Sequence, residues 1–257
     1  MRVRLAKYLG LSLLVAGCAN PYAQFYHQTA NPAMLAKSMV VSSAPLTIYT
    51  TSDFQKDTDA LIRKGYVPIG NSSFNAGSTA VSERQLRSQA ADVHAEVVLI
   101  SSHYTHTVTG AMPLVLPQTS TSYTTGTYGS ATTTTYGTQT TMMPYSVARS
   151  DYGAVYFVKT RQRAGIIAAP LDDAAHKRLG TNSGVLVRLV VDGTPAFNAD
   201  VFPGDVLLSV NTERVQSVDQ YTQLLNQFEG QTAAFHFNRD GHEIEKTFRI
   251  ASYQDPH

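Results

Sequence analysis

Eight histidines, nineteen acidic residues and one cysteine are the groups in this 257-residue chain that could do chemistry, and their spacing decides how much. His103 and His106 stand three apart in a β-branched run. On a strand that spacing sends the two rings to opposite faces, and no nearby Cys, Asp or Glu completes a metal set. His94 falls at the end of a helical pattern, where it complements the helix dipole. His176, His236 and His242 have no carboxylate or nucleophile partner visible in the sequence. Asp172 and Asp173 open a helix, where carboxylates stabilise the first turn rather than form an acid/base pair. No glycine loop of the phosphate- or dinucleotide-binding kind occurs. The expectation is therefore no catalytic residue, no metal and no cofactor.

The remaining reactive group is Cys18, in the opening MRVRLAKYLGLSLLVAGCAN. Arg2, Arg4 and Lys7 precede a short apolar run from Leu9 to Val15, which is a secretory signal too short to span a bilayer as a helix. Val15-Ala16-Gly17-Cys18 resembles the bacterial lipobox. That resemblance implies acylation of Cys18, a permanent lipid anchor, and, with Ala19 rather than Asp following, sorting to the outer membrane with the chain facing the periplasm. Lipidation also disposes of a lone thiol in an oxidising compartment. Removing residues 1–17 takes away three positive charges and no acid, which moves the net charge from +1 to about −2. Nothing in that balance draws the chain to nucleic acid.

Residues 18–45 read as a tether carrying one short helix, with Asn31 as N-cap and Pro32 in the first helical position. From residue 46 the pattern becomes regular. PLTIYTT reads as a strand. In SDFQKDTDALIRKG, Ser52 can cap a helix that Gly65 ends. YVPIGNSSF reads as a strand running into a turn. SERQLRSQAADVHA has Ser82 and Gln85 in capping-box spacing, with Leu86, Ala90 and Val93 on one face. EVVLISSHYTHTVTG and GAVYFVKT are β-branched runs. The order β-α-β-α-β-β predicts a small α/β sandwich over residues 46–160.

Between Glu96 and Arg149 there is no Lys, Arg, Asp or Glu. The inserted stretch 111–146 is dominated by Thr with Gly and periodic Tyr, and two readings stay open. It could be a low-complexity loop without apolar groups to offset chain entropy. It could also be a long two-sided-polar hairpin, which threonine's strand preference favours. Such neutral edges could pair copies of the chain into a homo-oligomer.

After Arg161 the character changes to strand, short helix, strand, strand, helix and a hairpin turning at Asp240-Gly241. Ser217 and Gln220 cap the last helix, Tyr221, Leu224, Leu225 and Phe228 form its buried face, and Gly230 ends it. Three motifs stand in order: Ser183-Gly184-Val185-Leu186-Val187, Gly193-Thr194-Pro195-Ala196 and Pro203-Gly204-Asp205-Val206-Leu207-Leu208-Ser209-Val210-Asn211. Together they closely resemble the PDZ domains of bacterial HtrA-type proteases over residues 161–252, with 253–257 left as a tail. The resemblance implies a partly open β-barrel with two helices that binds a protein C-terminus or other extended peptide as an added strand. By similarity the carboxylate loop is Arg163-Ala164-Gly165-Ile166, Ile166 and Ile167 begin the binding strand, and Tyr221, Leu224 and Leu225 line the pocket. Ala164 departs from the family pattern, which favours a larger apolar residue there.

The protease itself is missing. GNSSF at 70–74 resembles the GNSGG of those proteases only in its first three residues and lacks the glycine that shapes an oxyanion hole. Ser72 reads as a turn residue, and residues 46–160 are too short for two β-barrels. The chain is thus expected to be an α+β, non-enzymatic, lipid-anchored adaptor. The alternatives are a self-assembling envelope lipoprotein acting through the Thr-rich segment and an accessory regulator of a separate protease.

Overall fold

The computed structural model describes residues 20–40, 44–126 and 129–254, with the side chains of all but 117 and 119–137. The expected leader 1–17, Cys18, where lipidation is expected, and the last three residues of the tail lie outside the described residues. No described helix is long and apolar enough to cross a membrane.

The N-terminal unit runs α1 (Pro21–Gln24), β1 (Tyr26–Gln28), α2 (Pro32–Ser38), β2 (Thr47–Thr50), α3 (Phe54–Arg63), β3 (Tyr66–Gly77), α4 (Glu83–Asp92), β4 (Val97–Gly126) and β5 (Gly129–Lys159). The strands form one sheet in the order β1-β3-β5-β4-β2, with β2 parallel to β4 and the other pairs antiparallel. Its two faces are covered by different helices. Leu86 and Ala90 of α4 pack with Val98, Tyr156 and Val158, whereas Leu61 and Phe54 of α3 pack on Val97, Leu99 and Phe157. The alternation of β4 and β5 explains this: odd and even residues serve separate cores.

Local signals account for most boundaries. Ser82 and Gln85 form the capping box expected at α4. At α3 the cap is Asp53, whose carboxylate accepts the Lys56 N–H at 3.0 Å, one residue after the expected Ser52. Gly65, at φ +85°, closes that helix in the left-handed conformation. Asn31 and Pro32 start α2 as expected.

The tether is a correction. Residues 20–40 are bound to the sheet rather than extended from it, because the segment has its own apolar side chains to bury. Tyr22 is buried and meets Phe74 edge-on at 5.0 Å, and β1 pairs with β3 from Tyr26↔Ser72 to Gln28↔Gly70. Ser72 is likewise not in a turn. It is 1% exposed in the middle of β3, donates from Oγ to the Tyr22 carbonyl at 2.7 Å and shares a 3.2 Å hydrogen bond with the Tyr156 hydroxyl. Burial pushes the Tyr156 phenol up to about 12, against the Ser72 bond. Ser72 is thus a buried anchor for α1, its hydroxyl engaged by the Tyr22 carbonyl and the Tyr156 phenol.

Of the two readings of the Thr-rich segment, the hairpin is the one found. The β4–β5 ladder runs from Val97↔Phe157 to Gly126↔Gly129, a span of roughly 100 Å at about 3.4 Å per residue. One bulge interrupts it between Tyr104 and His106. The extra residue, Thr105, resets the alternation, so His103 and His106 oppose Asp151 and Arg149 and lie on the same face, not on opposite ones. No cluster of three potential metal ligands results among the described residues. The bulge is pinned where the hairpin leaves the sheet: Arg149 donates to the Asn75 Oδ1 at 2.6 Å, and Thr105 donates to the Arg149 carbonyl at 3.1 Å.

The C-terminal unit follows as β6 (Ile166–Pro170), α5 (Asp173–Leu179), β7 (Val185–Val190), α6 (Pro195–Asn198), β8 (Val206–Val210), β9 (Glu213–Arg214), α7 (Val218–Gln227), β10 (Thr232–Arg239) and β11 (His242–Arg249). The sheet order is β11-β10-β8-β7-β6, with β9 beside β8. Its core gathers Val187, Leu207, Phe235, Phe237 and Ile250, all with no exposed surface, and Phe235 stacks on Phe248 at 4.1 Å. Ser217 caps α7, while Gln220 reaches past it to accept the Gln216 N–H at 2.8 Å. His236 does have a carboxylate partner, Glu245, 3.7 Å away across the ladder. Sequence distance hid that pair.

The two units meet along α3 and β7, where Arg188 donates to the Asp59 carboxylate at 2.6 Å. Burial alone would raise that carboxyl, but hydrogen bonds from Arg188 and Gln55, with the Arg188 charge, hold it below the usual range. A depressed folded-state value gives stability above the unfolded pKa of about 4 and loses it as pH falls through the folded value. Acidification below about pH 4 is expected to loosen this junction, read by small-angle scattering. Asp59→Asn should remove the acid step, and a step that survives the substitution would assign it elsewhere.

Candidate peptide-binding groove

β6 ends its sheet. It has β7 on one side only, and α7 lies across the opening from it. A groove of about 250 Å³ between them is lined by Arg161 to Ala168 of the loop and β6, by Val218, Tyr221, Thr222 and Leu225 of α7, and by Met34 and Tyr253. The register fixes which main-chain groups face it. Val191 N–H donates to the Gly165 carbonyl at 2.8 Å, and Ile166 opposes Val190. Ile166 is then in a pair whose own N–H and C=O point away from β7. Past the bulge at Ile167/Ala168, the same alternation turns Ala168 and Pro170 outward. Pro170, which has no N–H, stands in that outward set, where it costs the ladder nothing.

The loop before β6 is asymmetric in its bonding. Its carbonyls are all engaged: Arg163 accepts from Ala251 N–H at 2.9 Å, Ala164 from Ala196 N–H at 2.9 Å and Gly165 from Val191 N–H at 2.8 Å. Among the described residues, the N–H groups of Ala164 and Gly165 donate to nothing. Successive unbonded amides in a tight loop make a concavity for an anion. Gly165 is required there twice over, since its φ is +89° and a Cβ would run into the Thr194 side chain. Thr194 is itself held by its 2.6 Å bond to the Val191 carbonyl. The Gly-Thr-Pro-Ala motif thus buttresses the loop.

Two side-chain donors are also short of partners. The Tyr221 hydroxyl and the Arg161 Nε are buried without a hydrogen bond, the only such side-chain atoms among the described residues. Leaving a buried donor unpaired costs about 1–3 kcal/mol. Tyr221 is 3% exposed, and burial holds its phenol well above the usual range despite the Arg163 cation, so it stays a protonated donor at neutral pH. Arg163, 6% exposed, is committed elsewhere. It donates to Asn226 Oδ1 at 2.6 Å, lies 3.8 Å from Glu229 and sits 5.0 Å over the Tyr253 ring. The Tyr253 carbonyl in turn accepts from Arg161 Nη1. A larger depression of about 550 Å³, lined by Ser183, Arg214, His236 and Glu243, has no unpartnered buried donor.

Of the residues expected here, Arg163, Ala164, Gly165, Ile166, Ile167, Tyr221 and Leu225 line this groove. Leu224 does not. It turns into the core, because the groove follows the 218, 221, 222, 225 stripe of α7. Val218 and Thr222 were legible from that period. Met34 and Tyr253 were not, since they arrive from opposite ends of the chain.

A family model described as a PDZ domain matches residues 157–250. The C-terminal unit is a PDZ domain. Its sequence relatives include two proteins named as probable periplasmic DegP-like serine endoproteases. The one from Chlamydia muridarum is 36% identical over 77 residues, which is 29% of this chain and 16% of that protein. The one from Chlamydia trachomatis is 35% identical over the same shares. The chain thus spans about a sixth of the length of these relatives. Among solved structures, the HtrA-type protease AlgW with a decapeptide is 19% identical, with a TM-score of 0.32 over 40% of this chain and 38% of that one. A PDZ domain protein from Parabacteroides distasonis aligns over 90% of this chain and 70% of its own, at 9% identity and a TM-score of 0.23. PDZ domains add an extended peptide to a sheet edge, and β6 is a sheet edge with the groove between it and α7.

Proposed function

We propose that this chain is a non-enzymatic adaptor, tethered through an acylated Cys18 to the outer membrane on the periplasmic side, whose PDZ groove takes the C-terminus of another envelope protein. The observation that carries the reading is the loop at 163–165, with every carbonyl engaged and the amides of Ala164 and Gly165 left over, leading straight into an unpaired edge strand. A peptide carboxylate fits those amides, and its main chain fits the outward groups of Ile166 and Ala168. Tyr221 and Arg161 supply further donors within the same groove. The sequence likeness to probable periplasmic endoproteases over 77 residues supports the compartment.

The test is fluorescence anisotropy of the full chain against a set of C-terminal peptides, each with a free carboxylate and as the amide. Affinities in the micromolar range that fall at least about 10-fold on amidation are expected, equivalent to about 1.4 kcal/mol. No binding below about 1 mM, or equal binding of both forms, would sink the proposal.

The chain's own tail already occupies one end of the groove, with Tyr253 held by Arg161, Arg163 and Glu229. Ending the chain after Ser252 is expected to strengthen peptide binding several-fold by freeing Arg161. Weaker binding on truncation would instead make Tyr253 part of the site.

A further inference from the structure

The face of the β4–β5 sheet that α3 covers at its base continues, uncovered, along the hairpin. Cross-strand partners share a face, so the register puts Val108, Met112, Leu114 and Leu116 of β4 beside Met143 and Tyr145 of β5. All six side chains are exposed. Tyr145 lays its ring over Gly110, its cross-strand partner, which keeps the surface continuous at the one position without a side chain. The stripe is roughly 27 Å long at about 3.4 Å per residue. The neighbouring strands stop short of it: β3 pairs as far as Gly77↔Arg149 and β2 as far as Thr50↔Ile100.

We infer that this face is the contact by which two copies of the chain pair, hairpin against hairpin. Three observations select a second copy as the occupant. First, residues 97–148 hold no charged side chain, so two identical faces meet without repulsion. Second, the exposed apolar surface is roughly 500 Å² per copy, as large as the biggest patches on monomers, and two copies together bury about 1,000 Å², the lower bound for a specific interface. Third, the hairpin's edges are blunted while its face is bare. Pro113, Pro117 and Pro144 all fall in one alternating set of pairs, 113↔142, 117↔138 and 111↔144. Proline cannot donate to the ladder, so this is the set whose N–H positions face outward, and each proline leaves a gap in an outer edge. Strand-by-strand growth along those edges is hindered, and the association closes at two. The expectation from composition, that copies pair through the Thr-rich edges of 111–146, is thereby moved to the apolar face next to the sheet. This inference is independent of what the PDZ groove binds.

The test uses the chain from residue 19 onward, which contains every described residue and no cysteine. Sedimentation velocity is expected to show a dimer at tens of micromolar. Leu114→Lys should weaken it at least about 100-fold, while Val115→Lys, on the opposite face, should leave it unchanged. Met112→Cys, at mid-stripe, is expected to form a disulfide-linked dimer at least about 10-fold faster than Val115→Cys. A monomer at about 100 µM, or equal effects on both faces, would overturn the inference. So would a monomeric chain that floats with neutral phosphatidylcholine vesicles and stops floating with Leu114→Lys, an outcome that assigns the face to a bilayer.

Discussion

Replacing Ala168 by proline is expected to abolish peptide capture, weakening it at least about 100-fold or about 2.7 kcal/mol, while the melting temperature of the chain moves by only a few degrees. The asymmetry follows from the register. The Ala168 N–H belongs to the outward set of β6, so proline takes nothing from the β6–β7 ladder. Ile167, the residue before it, is already extended, the conformation that a following proline favours. On the open side proline removes a donor and projects its ring where an added strand must lie. Gly165 is a poorer place for this test, because any side chain there collides with Thr194 and deforms the loop itself. Full binding by Ala168→Pro, measured with the same peptides as the parent chain, would show that the ligand does not add to β6.

Loss of the Asp205 carboxylate is expected to destabilise the PDZ domain by about 3 kcal/mol, a fall of roughly 15 °C in melting temperature for a unit of this size. Asp205 is 2% exposed. It accepts two hydrogen bonds from Arg239, at 2.6 and 2.7 Å, and one from the Phe202 N–H at 2.9 Å. Asp205→Ala leaves Arg239 beside the Phe202 ring, 4.5 Å from its centre, with its charge uncompensated on that side. The partial exposure of Arg239 places the cost at the lower end of the range for a broken buried pair. Asp205→Asn keeps an acceptor for Phe202 and should cost about half as much. Calorimetry on the two variants decides the matter, and a loss below about 1 kcal/mol in Asp205→Ala would show that the ion pair contributes little.

These two sites also show what a sequence can disclose. The Pro-Gly-Asp turn was legible because its chemistry is local: Gly204 supplies a φ of +98°, and Asp205 closes the turn onto Phe202 three residues back. Arg239, thirty-four residues away, was not. The α4 capping box, the Ser217 cap, the Asp240-Gly241 hairpin and the order of elements were readable for the same reason. The Thr-rich segment stayed ambiguous because composition sets strand preference but not whether two strands find each other, and here a shared β3–β5–β4 sheet starts the ladder. The histidine pair was misread because a bulge changes alternation without leaving a mark in spacing. In the groove, the loop, strand and α7 residues followed from the resemblance to HtrA-type PDZ domains, and of these Leu224 sits in the core instead. Met34 and Tyr253 depended on where the chain's two ends dock, which no local pattern carries.

β5 has a mechanical consequence. It is one uninterrupted strand from Gly129, beside the hairpin tip, to Lys159, and only Thr160 separates it from the groove's Arg161. A pull on the tip is directed along the strand axis, so it loads the β3–β5 ladder, from Gly77↔Arg149 to Tyr66↔Lys159, in shear, with many hydrogen bonds strained at once. Peeling, which breaks such bonds singly, is not available in that direction. Tension at the far end is therefore borne by the N-terminal sheet before it reaches the arginines, and the groove keeps its shape under a load that its own short β6 could not carry.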